Sequence, residues 1–376
     1  MRNFAALLVV MVMFVALCGV RVLAEGDPVA VWLAPDSSQI RYSPRNWDLT
    51  KLPYEATTIC AGSFFEFSLN ASAEAGAVSA TFGFEMRGIT KPLPTLAVYL
   101  DGGAPTFYPM AAAVTAALGT PAPGAHTVRV VLANLSESLE HWTRPYRTGM
   151  LFNGLELSGA AVGPTPAAPA KRILFVGDSI TQGVRTRNAD AKGDSSTWDD
   201  STLTYGTLTA AALGYDLANV GFGRQGLTVI GNGGIPLVCY SVGYVSDGVP
   251  VSAAFQPDIT VINQGTNDGA ADAATFLFHY KLMLSTIRRM HPFTEVVCLI
   301  PGGGYSKVNI AKAVKEYLAV SGDTRVRVVD GAKWIVTGTF GKVTADTTDG
   351  VHPNATGHKK MADQLVVALR DLGLTK

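Results

Sequence analysis

Two hydrophobic periodicities divide the chain. From about residue 28 to 160 apolar residues recur at every second position. Phe65, Phe67 and Leu69 alternate with Phe64, Glu66 and Ser68, and Val78, Ala80, Phe82, Phe84 and Met86 alternate with small or charged neighbours. Further short runs at 96–100, 127–133 and 150–157 are separated by turn sequences such as Asp101-Gly102-Gly103 and Pro121-Ala122-Pro123-Gly124. A series of short alternating strands with hardly a helical pattern between them predicts an antiparallel sandwich.

Past residue 170 the pattern changes. The runs 172–176, 259–263, 295–300 and 326–329 are short and continuously apolar, as strands covered on both faces must be. Between them, Phe276, Tyr280, Met283 and Ile287 share one helical face, as do Val314, Tyr317 and Leu318, and later Met361, Leu365, Ala368 and Leu372. Strand alternating with helix predicts a parallel sheet covered by helices on both sides. The segment Gly163-Pro164-Thr165-Pro166-Ala167-Ala168-Pro169-Ala170 separates the two patterns and reads as a stiff linker. The expected organisation is therefore a leader over 1–24, a β-sandwich over 25–162, a linker over 163–170 and an α/β domain over 171–376.

Charge narrows the function. Thirty basic residues balance 30 acidic ones, and no basic stripe appears, which sets nucleic-acid binding aside. The apolar stretch from Phe4 to about Val20 follows Arg2 and precedes the small residues at Val22-Leu23-Ala24. It reads as a secretory signal cut near Ala24, so the mature protein is expected outside the cytoplasm and free of the membrane. An uncleaved anchor is the alternative, because the run approaches bilayer-spanning length. Beyond the leader remain Cys60, Cys239 and Cys298, of which at most one pair can form a disulfide. Cys298 lies in an apolar run and reads as a small buried hydrophobe. Asn70, Asn134 and Asn354 stand in glycosylation sequons, and Asn354 is expected to be buried. The histidines are scattered and no Cys-x-x-Cys occurs, so neither a structural zinc nor any other cofactor is expected.

The polar residues just beyond the predicted strand ends carry the candidate chemistry. The strand at 172–176 runs into Gly177-Asp178-Ser179, where Ser179 is either a nucleophile or only a helix cap. The strand at 259–263 leads to Gly265-Thr266-Asn267-Asp268. The stretch 219–226 reads as a glycine-rich turn whose N–H groups suit an anion. Asp349 precedes His352 by three residues in the last loop, a spacing at which the acid can orient the imidazole and leave Nε2 free to take a proton. In a parallel sheet these positions converge at the carboxyl ends of the strands.

With these motifs in order, residues 171–374 resemble the SGNH (GDSL-type) hydrolases. The resemblance implies a three-layer α/β/α fold, with Ser179 as nucleophile, His352 as general base and Asp349 as its acid partner. It also implies an oxyanion hole from the N–H of Ser179, the Asn267 side chain and a backbone N–H of the second block. That block, Gly221-Phe222-Gly223-Arg224, departs from the commoner Gly-x-Ser-Gly, so Gly223 or Arg224 is the donor. Asp178 reads as structural. The whole chain is similar to the two-domain carbohydrate esterases of family two, in which a small jelly-roll-like sandwich precedes the hydrolase domain; Ile40 to Trp47 looks like the opening of that sandwich. The resemblance implies removal of acetyl groups from a polysaccharide or oligosaccharide. A short-chain lipid or aryl esterase is the alternative within the fold, and a carbohydrate-binding protein with a dead site is the alternative outside it. The segment 185–201 is charged and hydroxylated with Trp198 as its large ring, a composition that suits a sugar-binding wall. Oligomeric state has no signature in the sequence.

Overall fold

A computed structural model describes residues 30–74, 76–187 and 196–376. The leader, and Asp190, Lys192 and Asp194 of the charged segment, lie outside the described residues.

The amino-terminal region is a sandwich of two antiparallel sheets. Its strands are β1 (Val31–Leu33), β2 (Arg41–Tyr42), β3 (Ala56–Thr58), β4 (Phe64–Ala71), β5 (Val78–Phe84), β6 (Thr95–Leu100), β7 (Thr106–Pro109), β8 (Ala113–Gly119), β9 (Gly124–Asn134), β10 (Met150–Ser158) and β11 (Ala161–Val162). One sheet runs β1-β10-β5-β8 with β3 beside β10, and the other runs β11-β4-β9-β6-β7 with β2 beside β4. The core between them is aromatic: Phe65 stacks on Phe152 at 4.2 Å between ring centres, and Phe82 meets both Phe65 and Phe67 edge-on. Phe65, Phe67 and Leu69 are fully buried, as their alternation requires.

The opposite face of β4 departs from the simple pattern. Phe64, Glu66 and Ser68 are also buried, because that face turns toward the second domain. Glu66 is held there between Arg41 and Arg129, and Arg41 Nη1 continues to Asp216 of the second domain at 3.0 Å. Nearby, Asn46 Nδ2 donates to the Asn219 carbonyl at 2.7 Å and Arg45 Nη2 to the Val242 carbonyl at 2.7 Å. The opening segment of the sandwich is thus the strap that joins the two domains. Buried charges persist only when paired and hydrogen-bonded, a condition that Arg41, Glu66 and Asp216 meet.

The second domain contains β12 (Arg172–Gly177), α1 (Ser179–Gln182), α2 (Tyr205–Leu213), β13 (Asp216–Gly221), α3 (Val238–Ser241), β14 (Tyr244–Ser246), β15 (Val249–Pro250), β16 (Ile259–Asn263), α4 (Ala273–Met290), β17 (Glu295–Ile300), α5 (Lys307–Ser321), β18 (Val326–Asp330) and α6 (Ala355–Asp371). Its parallel sheet has the order β13-β12-β16-β17-β18. Alternate residues of β12 serve opposite layers: Ile173 and Phe175 pack with Tyr205, Met361 and Leu365, whereas Leu174 and Val176 pack with Tyr280, Met283 and Val314. The fold is therefore an α/β/α layer structure preceded by an all-β sandwich, in agreement with the two periodicities.

Local departures from the sequence pattern have identifiable causes. Asn219-Val220-Gly221 is the end of a buried edge strand rather than part of a turn. Its Asp, Asn and Gly hide it from a hydrophobic reading, but Asn219 Nδ2 is satisfied by the Thr181 and Ala61 carbonyls. Asn354 is half-buried rather than buried: it caps α6 through Gly357 N–H, and its Nδ2 donates to the Ala345 carbonyl. Cys60, Cys239 and Cys298 are buried free thiols.

Candidate active site

Two adjacent strands of the sheet end in the loops that build the site. β12 ends at Gly177, and Asp178 caps α1 by accepting Ile180 N–H at 3.0 Å. Cap and candidate nucleophile are thus different residues, and Ser179 is left with its hydroxyl uncommitted to the helix. Burial drives the Asp178 carboxyl up to about 6, against the hydrogen bond from Ile180 and the nearby His352 ring.

The last loop brings the acid and the imidazole to that serine. His352 Nε2 lies 2.8 Å from Ser179 Oγ, and His352 Nδ1 lies 2.7 Å from Asp349 Oδ2. Asp349 Oδ1 accepts the N–H groups of Val351 and His352, at 3.0 and 2.8 Å. Burial disfavours the Asp349 carboxylate, yet the His352 ring and these two N–H groups outweigh it and hold the group well below the usual carboxylate range. Three residues separated by up to 173 positions therefore form one continuous chain of hydrogen bonds.

The third block follows β16. Gly265 adopts φ +118°, a conformation nearly closed to residues with a side chain, and so turns the chain to present Asn267. Asn267 Nδ2 donates to the Gln225 carbonyl at 3.1 Å and faces Asp178 Oδ2 at 3.4 Å. Asp268 turns the other way, accepting Leu227 N–H, Thr228 N–H and the Thr228 hydroxyl. It ties the third block to the loop that carries the second. In that loop Arg224 has φ +60°. Gly223 carries the Glu137 carboxylate so closely that any side chain there would collide with it.

Of three further participants, Glu137 and Phe340 have no signature in the sequence, and Arg185 is legible only as part of the charged segment 185–201. Glu137 comes from the sandwich and walls the site at Gly223. Arg185 Nη1 donates to Asp349 Oδ2 at 2.7 Å. Phe340, 64% exposed, stands beside Arg185 with its ring centre 5.9 Å from the guanidinium, on a segment bound to the acid loop through Gly341 N–H and the Asp349 carbonyl. Trp198 ends a short 3-10 turn and is exposed, and among the described residues no bond or ring contact connects its indole with Ser179, Asp349 or His352. The described charges of its segment are engaged within the protein. Arg187 pairs with Asp200 at 2.6 Å, and Asp199 Oδ1 accepts Arg185 N–H at 2.7 Å.

Residues 175–360 match the GDSL-like lipase/acylhydrolase family. The α/β domain is that of a GDSL-type ester hydrolase. Over 262 residues the chain is 25% identical to an acetylxylan esterase / glucomannan deacetylase of Cellvibrio japonicus, covering 67% of this chain and 68% of that protein. Its structure is similar to that of a family two carbohydrate esterase from Clostridium thermocellum in complex with cellohexaose, with a TM-score of 0.72, 22% identity, and coverage of 89% of this chain and 99% of the other. It is likewise similar to an acetyl xylan esterase from the rumen bacterium Butyrivibrio proteoclasticus, with a TM-score of 0.74, 17% identity, and coverage of 93% and 100%. These two likenesses extend the shared fold across both domains.

Proposed function

We propose that the protein is an exported serine esterase that removes acetyl groups from a carbohydrate through an acyl-enzyme. The observation that carries this reading is the unbroken chain Ser179–His352–Asp349. With Asp349 ionised and accepting the Nδ1 proton, Nε2 has a free lone pair aimed at the Ser179 hydroxyl. Attack by Oγ on the ester carbonyl transfers the serine proton to Nε2, and Asp349 stabilises the imidazolium. The imidazolium then protonates the departing sugar alkoxide. Water, deprotonated by the same ring, cleaves the acyl-enzyme and restores the serine.

The developing oxyanion needs donors placed in advance. The N–H of Ser179 and that of Gly223 or Arg224 are the backbone candidates, and Asn267 is the side-chain candidate. Its contact to Asp178 is long for a hydrogen bond, so that N–H can turn to the oxyanion while the other stays on Gln225. The carbohydrate reading draws on the deacetylating relative and on an exposed aromatic ring, Phe340, at the rim, since sugar rings stack on aromatic faces. The export reading draws on the apolar leader.

An ester series tests the substrate. Activity on p-nitrophenyl acetate should fall steeply at butyrate and be negligible at octanoate, and acetylated xylan or its oligosaccharides should release acetate. A long acyl chain would gain about 0.8 kcal/mol per buried CH₂ in an apolar channel. A kcat/KM that holds level or rises with chain length overturns the carbohydrate reading in favour of a lipid esterase.

A further inference from the structure

We propose that Arg185 is a positioning residue of the ester-hydrolysis reaction, sharing the Oδ2 atom of Asp349 with the His352 ring and thereby setting the pH range over which Ser179 is activated. This rests on the acyl-transfer reading above.

The geometry is built for the contact. Arg185 lies in the turn just after α1, with φ +58°, where a non-glycine residue is uncommon. Its N–H is fixed by Asp199 Oδ1 at 2.7 Å, and next to it the Thr186 hydroxyl donates to the Gly183 carbonyl at 2.9 Å. The side chain is directed from the nucleophile turn to the acid loop, where Nη1 meets Asp349 Oδ2 at 2.7 Å. The two side chains are only 22% and 7% exposed, so solvent screens the contact weakly. Arg187, two residues on, is engaged elsewhere: it pairs with Asp200 and lies 4.2 Å over the Phe107 ring. Among the described residues no other lysine or arginine is bonded to Asp349.

The chemistry follows from one oxygen with two donors. Oδ2 accepts both the His352 Nδ1 proton and Arg185 Nη1, while Oδ1 is occupied by two backbone N–H groups. The guanidinium withdraws negative charge that would otherwise stabilise an imidazolium. A ring bound to a fully available carboxylate would already be protonated in the free enzyme at mildly acidic pH and unable to take the serine proton. Arg185 weakens that hold, so the free base persists to lower pH and the imidazolium releases its proton readily to the leaving alkoxide. The other titratable groups around the ring do not supply this effect. Asp178, on the nucleophile turn, is acidic. His358, on α6, is driven down to about 3 by burial, and His352 pushes it the same way, so it stays neutral. Tyr305, after β17, is a phenol raised by burial and by Asp349 itself.

The test is the pH profile of kcat/KM for p-nitrophenyl acetate in wild type, Arg185→Gln, Arg185→Lys, Asp349→Asn and the Asp349→Asn/Arg185→Gln double variant, with Ser179→Ala as control. In Arg185→Gln the acid limb should move up by about one pH unit, so that one unit below the wild-type midpoint its rate, relative to its own plateau, is about tenfold lower. Arg185→Lys should return the limb toward its original place. In the Asp349→Asn background Arg185→Gln should move nothing. Arg185→Met, neutral and of similar reach, replaces Arg185→Gln if thermal melting shows that variant to be unfolded. An unmoved limb in the neutral variant, or a shift that persists without the Asp349 carboxylate, overturns the proposal. Full activity in Ser179→Ala would instead overturn the acyl-transfer reading beneath it.

Discussion

Asp178→Asn should stabilise the protein in a pH-dependent way. The Asp178 carboxyl is pushed up to about 6 in the folded chain from an ordinary value of 3.8, with burial as the largest cause. A group whose folded pKa is raised contributes stability that is fully present below 3.8 and lost as pH climbs through about 6. A rise of that size is worth about 3 kcal/mol, of which about 2.5 kcal/mol is lost between pH 4 and pH 8. The asparagine variant has no such proton to lose. Its capping oxygen can still accept Ile180 N–H, and any fixed cost, such as its amide facing the Asn267 amide, is the same at both pH values and cancels in the difference. Urea unfolding of wild type and variant at pH 4 and pH 8 measures the quantity directly. The variant should gain about 2–3 kcal/mol on wild type between the two conditions. A difference between the proteins that does not change with pH would show that burial does not hold the Asp178 proton, and would refute the reasoning.

Three further outcomes are expected. Asn267→Ala should lower kcat by about 10²–10³-fold with little change in KM, read by steady-state kinetics on p-nitrophenyl acetate, because the lost donor acts on the transition state. Asp349→Asn should lose up to about 10⁴-fold in kcat, with His352→Ala at least as damaging. The stability cost of Asp349→Asn, measured by denaturant unfolding, should shrink as pH falls below about 4: the native carboxyl is depressed, so its contribution is present above the ordinary value of 3.8 and fades through the lower folded one.

The readable parts of the site share one property: each sits at a strand end or in the loop that leads into a helix. Ser179, Asn267, Asp349 and His352 stand in short motifs whose spacing is set by their own loops, so local sequence carries the signal. Arg185 and Glu137 are different. Their roles come from a φ of +58° at one and from a loop of the other domain at the second, and neither leaves a spacing pattern. The sandwich shows the same division. Inward Phe65, Phe67 and Leu69 are legible as an alternation, whereas the burial of Glu66 depends on its pairing with Arg41 and Arg129, of which Arg41 is also tied to Asp216 of the second domain, far away in sequence. Strand β8 alternates perfectly in burial, but its inward residues Val114, Ala116 and Leu118 are separated by Ala and Thr, and the small side chains blur the contrast. Strand β13 carries Asp216 and Asn219 in a buried strand, where cross-domain partners bond the Asp216 carboxylate, the Asn219 carbonyl and the Asn219 Nδ2.

The most direct measurement is peptide mass spectrometry of the enzyme quenched in acid during turnover of an acetylated xylo-oligosaccharide. One acetyl group should appear on the peptide containing Ser179 and vanish when the substrate is exhausted, and the Ser179→Ala protein should neither carry it nor release acetate. Acetate release without any acyl group on Ser179, or undiminished release by Ser179→Ala, would contradict the assignment of Ser179 as the nucleophile of a deacetylating esterase.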